Sequence, residues 1–394
     1  MNLRHINHLI AAGLLPLAAL PASAAEPQDG SGETGGYKLV WQDLFDSGEL
    51  KVGRWNIEIN GAGGGNNELQ YYTDRDENVR VGDDGQGNGC LILTARREDY
   101  KGKSFTSGRV NSKNLFAFTH GKIEASIKLP ATANGLWPAF WMMGNDYDAV
   151  GWPKCGETDI LEMGHQNGIK NGVTDRFFNG ACHWGQGWPN ASHAMDATKS
   201  YSLQDGEFHL FTLIWDENRY AMYVDLDKHP MQTPYFRMDI PANEPENEWS
   251  AGNYFHKENF ILFNLAVGGN FPGIHKAGDI TALNEANGQE ASMYVNYVKV
   301  YQKGDAGESL YAQIPGDEIS ESVVKKLQAS DAPEFEMDGR RISAAGCELT
   351  ACDMLGNVVA AGSETIDLGE VAAGIYVITA RGEKRSVSIK TMVR

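Results

Sequence analysis

Long apolar runs are scarce in this chain. Past the first 25 residues no stretch approaches the roughly 20 consecutive apolar residues that a membrane helix needs, so the sequence predicts no transmembrane segment. Cysteine is scarce too. Cys90, Cys155, Cys182, Cys347 and Cys352 are 5 among 394 residues, too few and too scattered for a disulfide-built scaffold, and the odd number leaves at least one unpaired or bridged to another chain. Positive charge is in deficit: 34 Lys and Arg stand against 52 Asp and Glu, a net charge of −18 that repels nucleic acid and anionic membranes. A neutral partner is expected, and no nucleic acid. Amphipathic helical periodicity is missing as well, which argues against a helical or βαβ architecture.

What is present begins with MNLRHINHLIAAGLLPLAALPASAA, a short basic start, an apolar run and small residues before a cut after Ala24 or Ala25. That is the layout of a secretory signal peptide over residues 1–24, so the protein is expected to be exported, extracellular or on the outer cell surface. A flexible segment, 25–37, follows. Nine Trp and fifteen Tyr are present, many of the Trp in polar, glycine-rich surroundings, a composition suited to the apolar C–H faces of sugars.

Residues 38–303 carry short runs of period-two character, among them LILTARR, GKIEASIKLP, FHLFTLIW, FILFNLAV and MYVNYVKVYQ, separated by turn signals such as Asp83-Asp84-Gly85. The class predicted is all-β, a sandwich or barrel. Residues 304–336 lack this alternation and read as a linker. Residues 337–394 read as a second, small β-sandwich with hairpins around Leu355-Gly356-Asn357 and Arg381-Gly382-Glu383.

The stretch GETDILEM places Glu157, Asp159 and Glu162 within six positions. In a strand, Glu157 and Asp159 share a face and Glu162 points the other way. One extra residue, a β-bulge near Ile160 or Leu161, returns Glu162 to the shared face. The two glutamates then lie roughly 13 Å apart at Cα, and their side chains can approach to about 5 Å, the carboxyl separation of a retaining glycosidase. Asp159 between them would hold one Glu and keep the two pKa values apart. On pattern alone the same acids also fit a solvated strand face or an oxygen-ligand calcium site. Upstream, Trp137 and Trp141 are four apart and share a strand face, as groove floor or as core.

With LVWQDLFD, GGGNNELQYYT, FTSGRVNSK, HGKIEASIKLP, GLWPAFWMMG, WPKCGETDILEMG and ILFNLAVGGNFPG in order over about 265 residues, the chain resembles glycoside hydrolase family 16, its laminarinase-like (endo-β-1,3-glucanase) branch in particular. The resemblance implies a β-jelly-roll with a substrate cleft and a retaining mechanism on laminarin-like or mixed-linkage β-glucan. It makes Glu157 the nucleophile, Glu162 the general acid/base and Asp159 their supporting carboxylate. It also implies that Asn66 and Arg109 bond sugar hydroxyls or the nucleophile, that Trp137 and Trp141 stack on sugar rings, and that His183 and Trp184 border the cleft. Read without it, Asn66 is a turn residue, Arg109 an ion-pair partner and His183 a structural histidine.

The chain departs from the family pattern in two places. Thr158 stands where many relatives have Ile, and Asn296 stands where an Asp of the last strand often binds a structural calcium, which leaves a calcium site doubtful; no cofactor is required and no metal ligand is assigned. The C-terminal unit, with CDMLGNVV, IDLGEVAAGIYVITA and a basic SVSIKTMVR, resembles the sorting domain read by the type IX secretion system; a carbohydrate-binding or spacer domain is the alternative. Secretion machinery is thus an expected partner and a monomer the expected state. The rival functions are a family hydrolase acting on another β-linked polysaccharide, such as an agar-type galactan, and a non-catalytic β-glucan-binding protein.

Overall fold

The computed structural model describes residues 36–317, 335–338, 340–353, 358–369, 371–372, 374–381 and 386–393. The expected signal peptide, the flexible segment up to residue 35 and residues 318–334 of the expected linker lie outside the described residues. The chain divides into two compact units after Asp317.

The first unit runs through nineteen strands: β1 (Lys38–Asp43), β2 (Asn56–Ile57), β3 (Gln70–Tyr72), β4 (Val79–Asp83), β5 (Gly89–Tyr100), β6 (Lys103–Ser107) and β7 (Arg109–Asn111). Then come β8 (Phe116–Thr119), β9 (Gly121–Lys128), β10 (Leu136–Gly144), β11 (Glu157–Met163), β12 (Phe177–Trp184) and β13 (Ala191–Thr198). The last are β14 (His209–Asp216), β15 (Arg219–Val224), β16 (Phe236–Asp239), β17 (Asn259–Val267), β18 (Glu290–Gln302) and β19 (Ser309–Ala312). Ten form one sheet along β16-β15-β14-β9-β18-β5-β6-β3, with β1 on β18 and β4 on β5; nine form another along β13-β12-β11-β10-β17-β7-β2, with β8 on β17 and β19 on β8. The all-β sandwich expected from the alternation is what the chain forms.

One face of each sheet turns inward onto a common core that includes Leu91, Leu93, Ile123, Ile127, Leu213 and Val298 from the first sheet and Phe140, Met142, Phe178, Ile261 and Phe263 from the second. Burying these side chains supplies the main driving force for the fold, about 1.5–3 kcal/mol for each large one. The strands at the middle of the second sheet are buried on both faces; every residue of β17 is buried. Ile261, Phe263, Leu265 and Val267 turn into the core, while Asn264 on the other face is a polar residue in an apolar run. The second sheet therefore carries its chemistry on its outer face.

The first unit ends later than the sequence predicts. Residues 304–317, read as linker, belong to it: β19 pairs with β8 from Ser309↔Thr119 to Ala312↔Phe116, and Asp317 accepts from Leu44 N at 2.8 Å and from Arg54 Nη1 at 3.0 Å. A four-residue edge strand and a buried ion pair leave too weak a periodic signal to be read from sequence.

The second unit contains β20 (Glu336–Asp338), β21 (Arg341–Asp353), β22 (Val358–Asp367), β23 (Gly374–Arg381) and β24 (Ser386–Val393). They join in one antiparallel sheet around Ile342, Leu349, Ile366, Leu368 and Ile378, and β21 shifts register between Ser343 and Glu348. Residues 354–357 and 382–385, at the expected hairpins, lie outside the described residues; the strands on either side of each pair with one another.

Candidate active site

The acidic stretch is β11, and it contains an extra residue. Against β10 the register runs Met143↔Glu157, Met142↔Thr158, Trp141↔Asp159, then skips to Phe140↔Leu161 and Ala139↔Glu162, so Ile160 has no partner. Ile160 and Leu161 are consecutive, yet both lie fully buried in the core. The bulge leaves the Ile160 carbonyl outside the ladder, and the Tyr235 hydroxyl donates to it. A buried carbonyl without a donor would cost about 1–3 kcal/mol, so this tyrosine stabilises the irregularity. The consequence is a change of face: Glu157, Asp159 and Glu162 all emerge on the outer face, while Thr158 is fully buried near the Cys182 thiol on the inner one.

Neighbouring strands hold each acid. Glu162 Oε1 accepts from Trp137 Nε1 of β10 at 3.1 Å, and Oε2 accepts from Asn179 Nδ2 of β12 at 3.1 Å. Trp137 itself stacks on Phe271, centroids 4.6 Å apart. Asp159 has His183 Nε2 of β12 at 3.7 Å. Glu157 lies in the field of Arg109 and receives a hydrogen bond from the exposed Trp152. Arg109, on β7, donates to Glu58 at 2.9 Å and places its guanidinium over the Trp141 ring at 4.8 Å; Trp141 Nε1 donates to Asn264 at 2.7 Å.

Burial dominates the electrostatics. It pushes Glu162 up to about 8, with the charge of Glu157 adding to the rise and the bonds from Asn179 and Trp137 opposing it. Burial also pushes Glu157 up, to about 7, against the pull of Arg109 and the Trp152 bond. Asp159 is driven well above the carboxylate range by burial and by both glutamates. Three carboxyl groups packed this closely cannot all ionise. Glu157 gives up its proton more readily because a cation faces it; Glu162 keeps its own because an anion does. Burial lowers His183, which is therefore neutral near pH 7. One nucleophilic carboxylate beside one retained proton is what a displacement assisted by a general acid requires.

Trp137, Trp141, Arg109, His183 and the three acids share this outer face. One expected site residue stands elsewhere. Trp184 follows His183 in the strand and so faces the other way, into the core, where it meets Phe255 edge-on at 5.6 Å and donates Nε1 to the Trp249 carbonyl at 2.9 Å. Asn66 makes no hydrogen bond to the acids; its side-chain amide donates to Gly64 O at 3.5 Å and its backbone carbonyl accepts from Asn270 N at 2.8 Å, next to the Phe271 that stacks on Trp137. Arg109 is both a site residue and the ion-pair partner of Glu58. The sequence reading missed Asn179, Asn264, Glu58, Phe271 and Trp152. Asn179 was within reach, four positions before His183 and hence on its face; Asn264 was the lone polar residue in FILFNLAV.

Glu157, Asp159 and His183 place potential ligand atoms within 4.8 Å of one another. A cation held there would draw on oxygens of two of the three acids. At the position considered for calcium, Asn296 turns its amide nitrogen to the Gly89 carbonyl at 2.8 Å. The side chain brings no negative charge there and meets the carbonyl as a hydrogen-bond donor.

A family model described as "Glycosyl hydrolases family 16" matches residues 66–242. A glucan endo-1,3-beta-glucosidase of Cryptopygus antarcticus is 34% identical over 274 residues, covering 67% of this chain and 92% of the relative. The clotting factor G alpha subunit of Tachypleus tridentatus is also 34% identical, over 68% of this chain but only 34% of its own length. Among solved structures, a Bacteroides ovatus mixed-linkage-glucan hydrolase of family 16, in complex with its G4G4G3G product, is 41% identical with a TM-score of 0.57, over 66% of this chain and 99% of that one.

Proposed function

This chain belongs to glycosyl hydrolases family 16, and on that premise we propose that it is an exported, retaining endo-glycosidase that cleaves β-1,3 linkages in laminarin-like or mixed-linkage β-glucan. The observation that carries the reading is the return of Glu162, across the Ile160 bulge, to the face that holds Glu157 and Asp159. The named substrates of the Cryptopygus and Bacteroides relatives support the choice of glucan.

In this reading Glu157 attacks the anomeric carbon while Glu162 gives its proton to the departing glycosidic oxygen. Loss of that proton leaves Glu162 ionised, and the donors Trp137 and Asn179 then stabilise its charge. Water next adds to the anomeric carbon, Glu162 takes the proton, and the bond to Glu157 breaks. Asp159, kept protonated by burial and by the two glutamates, supports them without adding a third charge, Arg109 favours the ionised nucleophile, and Trp141 offers a ring face to a sugar. The low dielectric of the buried acids strengthens each of these interactions.

The signal-peptide layout and the net charge of −18 support export and a neutral polysaccharide substrate. The C-terminal unit serves the secretion machinery, and the protein acts as a monomer without a required cofactor. The test is reducing-sugar release from laminarin and from barley-type glucan, with the anomeric configuration of the first product read by NMR. Tight binding to both glucans with no release would overturn the hydrolase reading in favour of a binding protein.

A further inference from the structure

Asn179 stands directly across the β11–β12 register from Glu162 and is 6% exposed. Its amide nitrogen faces Glu162 Oε2, while Trp137 Nε1 faces Oε1, both at 3.1 Å. An indole N–H can only donate, so Oε1 is held as an acceptor and a neutral Glu162 carries its proton on Oε2. With Glu162 ionised, both N–H groups meet acceptors. With Glu162 protonated, the Oε2 hydroxyl and the Asn179 NH2 meet donor to donor. A half-turn of the amide replaces that conflict with an O–H···O=C bond. Asn179 Oδ1 is buried and has no hydrogen-bond partner among the described residues, so the turn breaks no bond at the oxygen and gives the unpaired acceptor a donor.

We propose that Asn179 is a positioning residue whose amide turns with the charge of Glu162, donating to the carboxylate and accepting from the carboxylic acid. The inference rests on Glu162 being the acid/base. In the first half-reaction the Oε2 proton passes to the glycosidic oxygen as the C–O bond breaks, and the NH2 then stabilises the carboxylate. In the second, the carboxylate takes a proton from water as the water oxygen bonds the anomeric carbon and Glu157 departs, and the amide turns back. Groups of both signs set the field here: Glu157 and Asp159 on β11, Arg109 on β7, His183 on β12 and Asp196, which pairs with Asn179 across β13. Among these strands the side chain bonded to Oε2 is Asn179, and its amide can both give and take a hydrogen bond there.

The experiment is the pH profile of kcat/KM on laminarin for wild type, Glu162→Gln, the isosteric Asn179→Leu and the smaller Asn179→Ala. Removing the amide costs the carboxylate a charge-assisted bond and the acid a neutral bond about half as strong, so the alkaline limb moves up by the difference, about one pH unit, in both Asn179 variants. KM stays within about twofold while kcat falls about tenfold, less than the roughly 10²–10⁴-fold that the proton-transfer group itself contributes. A limb that stays in place, with or without a rise in KM, overturns the proposal and leaves Asn179 as packing or a sugar contact. A wild type inactive on β-glucan, or a Glu162→Gln variant that keeps its alkaline limb, overturns the acid/base reading itself. A measurement on the unmutated side chain covers the case where both variants unfold: the Asn179 side-chain NH2 resonances shift with the midpoint of the limb in wild type and stay flat in Glu162→Gln. Resonances flat in both overturn the proposal.

Discussion

The indole nitrogen of Trp137 stands 3.1 Å from Oε1 of Glu162, joining β10 to the far side of the β11 bulge. The bond is made because Ile160 drops out of the ladder; in a regular strand Glu162 would point into the core. It fixes which oxygen of the acid can hold a proton and commits the other to the substrate and to Asn179.

Glu157→Gln and Glu162→Gln each lower kcat on laminarin by about three orders of magnitude or more, since each removes a group used in the transition state. Circular dichroism and thermal melting remain those of the folded protein. Near-wild-type turnover in either variant would contradict the assigned role.

Azide separates the two glutamates. In Glu157→Ala a small anion fits the space of the lost carboxylate, attacks the anomeric carbon from the same side and gives a glycosyl azide of inverted configuration. Rescue with retained configuration, or rescue seen only in Glu162→Ala, would exchange the roles.

Activity follows the two raised carboxyl pKa values. It falls at acid pH as Glu157, held at about 7, takes up a proton, and at alkaline pH as Glu162, held at about 8, loses one, so the optimum lies near the overlap of the two limbs. Stability has its own sign. Glu162 binds its proton more tightly folded than unfolded, so it leaves the fold unpenalised below the unfolded carboxyl range and costs increasing stability as the pH rises through 8. Glu162→Gln removes that cost, and its melting temperature exceeds the wild type's by about 3–6 °C at pH 9 and matches it at pH 4.

Trp184 and Trp141 have different effects when shortened. Trp184→Phe loses core contacts and the bond to the Trp249 carbonyl, lowering stability by about 1–3 kcal/mol with KM for laminarin unchanged. Trp141→Ala removes the ring on the outer face and raises KM. A KM effect from Trp184→Phe at full stability would place that ring in the cleft.

Arg54 anchors the end of the first unit. It is 5% exposed and lies 3.3 Å from Asp43 and 3.0 Å from Asp317, so Arg54→Met takes the cation from buried Asp43 and leaves Asp317 to Lys51 alone. The loss is about 3–5 kcal/mol, read in urea unfolding. A chain ended at Lys303 also unfolds at lower urea than one ended at Asp317, because it lacks β19.

The sequence by itself determined the all-β class, because alternation of apolar and polar residues encodes which face of a strand is buried, a property local to each strand. It determined the acidic trio too: a spacing of five between Glu157 and Glu162 cannot share a face without one residue out of register. Only the tertiary structure decided which residue that is, since the skip at Ile160 depends on pairing with β10 and β12 and on Tyr235, 75 positions away, to satisfy its carbonyl. Tertiary structure also decided the protons. Desolvation under neighbouring strands, and the arrival of Arg109 at one glutamate and of Asn179 and Trp137 at the other, come from elements distant along the chain. Motif and site diverge at Trp184: adjacent to His183 in sequence, it lies on the opposite side of the sheet, because consecutive residues of a regular strand never share a face.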